Sequence, residues 1–138
     1  GFASEISIDY ALKNGEHLRF RGQIEPTGTG GIVYVLKSIG DFNGRGIQLT
    51  PTRYILAEHP DVPNQIGRVG SAVGDENINI THFELMKGYS NRNLIACALN
   101  DGNEVPRGLL DRIKTETSVG MGPKASRASV VDLRNYNH

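Results

Sequence analysis

Apolar and polar positions alternate along the first fifty residues. In 5–12, Ile6, Ile8, Tyr10 and Leu12 are the apolar positions; in 17–24, Leu18, Phe20 and Ile24 fall on one side and Arg19, Arg21 and Gln23 on the other. A period of two predicts strands with one buried face. Asn14-Gly15 between these runs predicts a two-residue hairpin turn, because both residues tolerate positive φ. The TGTGG stretch at 27–31 predicts a flexible loop and the nearly continuous apolar run at 32–39 a third strand. A second Asn-Gly, inside 41–46, predicts a turn into a return strand at 47–49. Residues 5–49 therefore predict two hairpins, an all-β unit.

The pattern changes after Pro51. Residues 53–58 (RYILAE) predict a buried strand, HPDVPN a loop, and 65–74 a helix in which Ile66, Val69, Gly70 and Val73 form an apolar stripe at i, i+3, i+4, i+7. Gly74-Asp75 is the predicted stop. In 78–86 the alternation changes phase between Ile80 and Phe83, as a β-bulge would require. GYSNRN predicts a turn and 94–99 a central strand. Pro106 suits the first turn of a second helix edged by Val105, Leu109 and Ile113, and 126–133 predicts a last strand. The β-α-β-β-α-β order from residue 53 onward predicts four antiparallel strands with two helices on one face. The expected fold class is α+β: a small β-rich domain over 1–52, then a ferredoxin-like domain over 53–138.

Composition narrows the function classes. The chain has 138 residues, 38% hydrophobic and 22% charged, which supports a packed core. Lys+Arg and Asp+Glu both number 15, so the net charge of zero argues against nucleic-acid or membrane-surface binding. A ferredoxin-like RNA binder would need exposed sheet aromatics and a basic face, and the relevant strands offer mainly Phe83 and Tyr89. The one cysteine, Cys97, lies in an apolar strand and is expected to be a small core residue. It permits no internal disulfide and no cysteine metal cage. No run approaches the roughly 20 apolar residues of a membrane span. The expected setting is cytoplasmic, and a chain starting at Gly1 without methionine is expected to be a tag remnant or a piece of a larger protein.

Candidate chemistry concentrates at 59–67. A helix N-terminus offers unpaired N–H groups and partial positive charge, which suit the carboxylate of an amino acid. Asp61 would take the amino group, His59 would bond either end, and Asn79 brings both donor and acceptor. The competing expectation is that Asp61 or Asn64 caps the helix. Gly67, Gly70, Ser71 and Gly74 lower helix propensity by roughly 1 kcal/mol per glycine; close approach to the sheet or to a partner would offset that. TGTGG precedes a strand rather than a helix, which argues against a phosphate cradle and for a linker loop. His17, His59, His82 and His138 lack ligand spacing, so no metal site is expected. Arg19 and Arg21 share a face and are the candidates for anion binding in the β unit. No nucleophile–base or paired-carboxylate set emerges, so this chain is not expected to be an enzyme by itself.

These residues also carry a family resemblance. YILAEHPDVPNQIGRVGSAVGDENINI (54–80) resembles the ACT domain, a small ligand-sensing module: a strand ending in His, then x-D/N-x-P-G, a hydrophobic residue, a glycine-spotted helix and a second strand opening with Asn-Ile. His59, Asp61, Pro63, Ile66, Gly67, Asn79 and Ile80 occupy those slots. Asn64 stands where the pattern has glycine; Asn tolerates positive φ better than most residues, but its side chain would enter the ligand space. GEHLRFRG (15–22) resembles the allosteric substrate-binding domain that precedes ACT in some D-3-phosphoglycerate dehydrogenases and some bacterial L-serine dehydratases. The resemblance covers residues 5 to about 133. It implies the regulatory region of a D-3-phosphoglycerate dehydrogenase, a homodimer or higher homo-oligomer. The implied effector is L-serine, held between two copies by His59, Asp61, Asn64, Ile66, Gly67 and Asn79. NAD would belong to the catalytic part of that enzyme, with no cofactor in this chain. Hinge motion about Pro51 is expected to couple the two units. The alternatives are the regulatory region of an iron–sulfur L-serine dehydratase and a dimerisation module that senses nothing.

Overall fold

The computed structural model describes residues 4–12, 14–100, 102 and 104–134. Among them the elements run β1 (Ser4–Ala11), β2 (His17–Pro26), β3 (Ile32–Ile39), β4 (Phe42–Gln48), β5 (Arg53–Pro60), α1 (Gln65–Asp75), β6 (Ile80–Lys87), β7 (Arg92–Leu99), α2 (Arg107–Thr117) and β8 (Arg127–Asp132). The fold is mixed α+β. All eight strands form one sheet in the order β1-β2-β3-β4-β6-β7-β5-β8, with antiparallel pairings throughout. The two halves of the chain join where Asn43 of β4 pairs with Lys87 of β6.

Side-chain alternation sends the core to both faces of β5 and β7. Ile55, Ala57, Ile95, Cys97 and Leu99 face the helices and pack with Val69, Val73, Leu109 and Ile113. Tyr54, Leu56, Leu94, Ala96 and Ala98 face the other way, onto Phe20, Leu36, Ile39 and Ile47 of the first four strands. The first hairpins thus fold over the sheet face that the helices leave bare. The sheet curls far enough for its edges to meet: Asp132 N of β8 donates to Tyr10 Oη of β1 at 3.1 Å, and Arg127 of β8 pairs with Glu16 after β1. A hinge at Pro51 would have to open this shared cluster. An RNA-binding sheet face, had there been one, would lie where Phe20 and Leu36 are buried.

Several local expectations shift. The first hairpin is wider than two residues: Leu12 N bonds Glu16 O at 2.7 Å, and Gly15, at φ 88, supplies the left-handed position. The second turn is at Gly40-Asp41, since Ile39 pairs with Phe42 and Gly40 has φ 56; Asn43-Gly44 lies inside β4. Gly44 is small for another reason. A Cβ there would come within 3.1 Å of Glu84 Oε1 and 3.3 Å of the Met86 methyl carbon, both on β6. Helix α1 stops past Gly74, at left-handed Asn77 (φ 57). Asn77 N bonds Gly74 O at 2.9 Å and Ile78 N bonds Val73 O at 3.4 Å, the Schellman pattern with its apolar Ile78–Val73 contact. The bulge expected in β6 is present, as a register shift between Ile80 and His82. The buried side of α1 is Gln65, Val69, Ala72 and Val73; Ile66, placed by the stripe in the core, is instead 49% exposed. A Cβ at Gly70 or Gly74 would meet nothing within 4 Å, so close packing onto the sheet does not explain these glycines.

Because both halves share one cluster, a urea melt is expected to show one transition. Leu56→Ala should lower stability by about 2–5 kcal/mol without splitting it; two separable transitions would show independently stable halves. Burial pushes the Cys97 thiol up to about 12. It should therefore resist a thiol-reactive disulfide reagent at pH 8 in the native protein and react once the chain is unfolded.

Candidate functional site

The loop between β5 and α1 holds most of the sequence-nominated residues. Asn64 starts the helix in the left-handed region (φ 69, ψ 21), the conformation for which glycine is the usual choice. Neither Asn64 nor Asp61 caps α1, since the helix start has no side-chain cap bond. The Asn64 side chain lies instead over Gly67: a Cβ added there would sit 2.1 Å from Asn64 Oδ1. Ile66, Gly67, Asn64 and Asp61 are exposed around uncapped N–H groups. Arg68 stands beside them, its Nη1 donating to Pro63 O at 2.7 Å and to Gln65 Oε1 at 3.1 Å. A guanidinium next to a bare helix N-terminus strengthens the positive field there.

His59 departs from the sequence expectation. It is 1% exposed, on the helix side of β5, and is not available at the loop surface. Its Nδ1 lies 2.8 Å from Pro60 O, which can only accept, so Nδ1 carries the proton and neutral Nε2 is an acceptor. Among the described residues that Nε2 has no hydrogen-bond partner. Ser126 lies one place beyond the Glu58–Arg127 pair, and its Oγ is also buried without a hydrogen-bond partner among the described residues. Asn93 of β7 pairs with His59 on the other side. Gln65, the first residue of α1, locks the region by donating from Nε2 to Pro60 O at 3.0 Å and to Thr117 O, at the end of α2, at 2.8 Å. The period-3.6 pattern cannot single out a buried glutamine or a strand-end serine; only the register reveals them.

Asn79 does not converge with the loop within one chain. Ile80 pairs with Leu99 and His59 with Asn93. Six residues of β7, about 20 Å at ~3.4 Å each, separate the two ends. Arg19 and Arg21 do share a face of β2, lining a shallow depression of about 380 Å³ with His17, Asp9 and Asp41. Arg19 Nε bonds Asp9 Oδ1 at 3.1 Å, which raises the arginine's pKa and lowers the carboxyl's. The two aspartates offset the two arginines, so the depression carries no net positive charge to attract an anion. Among the described residues no three His, Cys, Asp or Glu side chains gather as a metal would require, and no helix is long and apolar enough to cross a membrane.

No protein-family model matches the chain, and no curated protein shows significant similarity to it. The loop's chemistry therefore rests on its own geometry: two backbone-strained or bare features, Asn64 and the α1 N-terminus, beside one carboxylate and one guanidinium.

Two measurements probe this region. Burial holds His59 below its ordinary 6.5 against the opposing pull of the Pro60 bond and Asp61. The unfolded chain then takes up the proton first, so stability is complete above 6.5 and erodes as pH falls below it. His59→Asn should flatten that slope in urea melts between pH 7 and 5. At Asn64, alanine should cost about 1–2 kcal/mol for its left-handed backbone, whereas glycine should cost little or stabilise; equal effects would contradict the strained backbone.

Proposed function

We propose that the chain is the effector-binding regulatory region of a D-3-phosphoglycerate dehydrogenase, an ACT-type module that senses L-serine. The observation that carries this reading is the left-handed Asn64 opening an uncapped α1 beside Asp61 and Arg68, within a β-α-β-β-α-β unit whose strands lie in the order β6-β7-β5-β8. That strand order is the one a ferredoxin-like arrangement requires. The amino acid's carboxylate sits on the N–H groups of Gln65, Ile66 and Gly67, steadied by Arg68, and its ammonium meets Asp61. Asn79 lies at the far end of α1, so it joins the site only from a second copy, and the sensing form is a homodimer or larger.

Regulation then needs a difference in affinity between two states of the parent enzyme, typically about 1–3 kcal/mol of coupling. The oxidation itself, with NAD, belongs to the parent's catalytic part. His59 acts beneath the loop rather than on the ligand: its bond to Pro60 O fixes the backbone from which Asp61 projects.

Thermal unfolding with and without millimolar L-serine tests the proposal. A ligand at 100 times its Kd raises stability by about 2.7 kcal/mol, readily seen as a shift in Tm. Asp61→Ala should remove the shift, and sedimentation should show association strengthened by L-serine. No shift with L-serine, or a full shift in Asp61→Ala, would sink this assignment.

A further inference from the structure

The two layers do not fill the space between them. Where the end of the β1–β2 hairpin lies over β5, β7 and β8, a cavity of about 90 Å³ remains. Leu18, Ile39 and Phe42 wall it from the first four strands, Leu56 and Leu94 from the second half. Its rim is charged by Glu16, Glu58 and Arg127. Arg127 and Glu58 oppose each other across β8 and β5, yet they take different partners. Arg127 pairs with Glu16, and Glu58 Oε1 accepts from Arg92 Nε at 3.0 Å. Arg127 and Glu16 are each about half exposed, so their pair stands at the solvent end of a space lined mainly by apolar side chains.

We propose that this cavity binds an aliphatic L-amino acid of valine or leucine size, with its side chain between the layers and its charged end between Arg127 and Glu16. Volume sets the size class. The cavity is smaller than the ~150 Å³ that admits benzene, leaving room for a branched alkyl group of about three or four carbons and none for an aromatic ring. Charge sets the head group. A zwitterion gives Arg127 a carboxylate and Glu16 an ammonium in exchange for the bond they make with each other, so every ion keeps a partner. A carboxylic acid or an amine of the same shape would leave one of the two unpaired. Opening the existing pair costs little, because a half-exposed ion pair contributes little to folding. Such a ligand touches both halves of the chain and fastens the first hairpin to β8. It lies on the sheet face opposite His59 and the α1 N-terminus, and the hydroxymethyl group of L-serine has nothing apolar to place in it.

Calorimetric titration of the whole chain with L-valine and L-leucine tests this, with isobutylamine and isovalerate as the single-charge analogues. At least one amino acid should bind saturably with a millimolar or lower Kd, and both analogues should bind roughly tenfold more weakly or worse. Arg127→Gln should weaken binding roughly tenfold. Ser129 of β8 also lines the cavity, so Ser129→Leu, which fills it, should abolish binding while leaving any L-serine response unchanged. Ligand-free thermal melts establish that each variant is folded, and methyl chemical-shift changes in the unmodified protein should centre on Leu18, Leu56 and Leu94. Absence of binding by both amino acids, equal binding of either analogue, undiminished binding in Ser129→Leu, or shifts centred elsewhere would each overturn the proposal.

Discussion

The burial of β5 and β7 on both faces is the constraint from which the rest follows. A strand covered on one side needs alternation, but one covered on both sides needs an unbroken apolar run. YILA (54–57) and LIACAL (94–99) supply it, and each then demands two layers of cover. The helices provide one through Val69, Val73, Leu109 and Ile113, and the first four strands provide the other through Phe20, Leu36, Ile39 and Ile47. Neither cover is dispensable, because removing either would leave a broad apolar face in water.

The same arrangement positions the candidate chemistry. β5 is covered on both faces, and the turn into α1 emerges from its C-terminal end. Gln65 then ties that turn to the last residue of α2. The loop that presents Asp61, Asn64 and Ile66 is therefore mounted on fixed elements although the three side chains are exposed. His59 belongs to the mount rather than to the presented surface.

Much of this was legible from residue order, in physical terms that differ by region. Period-two alternation identified β1 and β2, and the apolar runs identified β3, β5 and β7. The bulge in β6 announced itself through its change of phase. Local signals misled where a residue served a distant neighbour: Asn43-Gly44 has the chemistry of a turn, but Gly44 lies inside β4, where a Cβ would crowd Glu84 and Met86 of β6, and Gly40 makes the turn. Ile66 fits the helical stripe, yet a glutamine one place earlier is the buried residue. The union of the two halves and the Arg127–Glu16 clasp depend on contacts between residues far apart in sequence, which no window of neighbours contains, and the burial of His59 and Ser126 follows from the register of strands far apart in the chain.

The junction of the two halves has a consequence for how the chain can fail. Backbone pairing between β4 and β6 is confined to the Asn43–Lys87 rung, so side-chain packing, not the hydrogen-bond ladder, keeps the first hairpins in place. A truncation or damaging substitution that released them would uncover an apolar sheet face and a free β6 edge together. Those are the two ingredients of edge-to-edge aggregation. The first fifty residues therefore act as a built-in cover for a surface that, left bare, would recruit other chains.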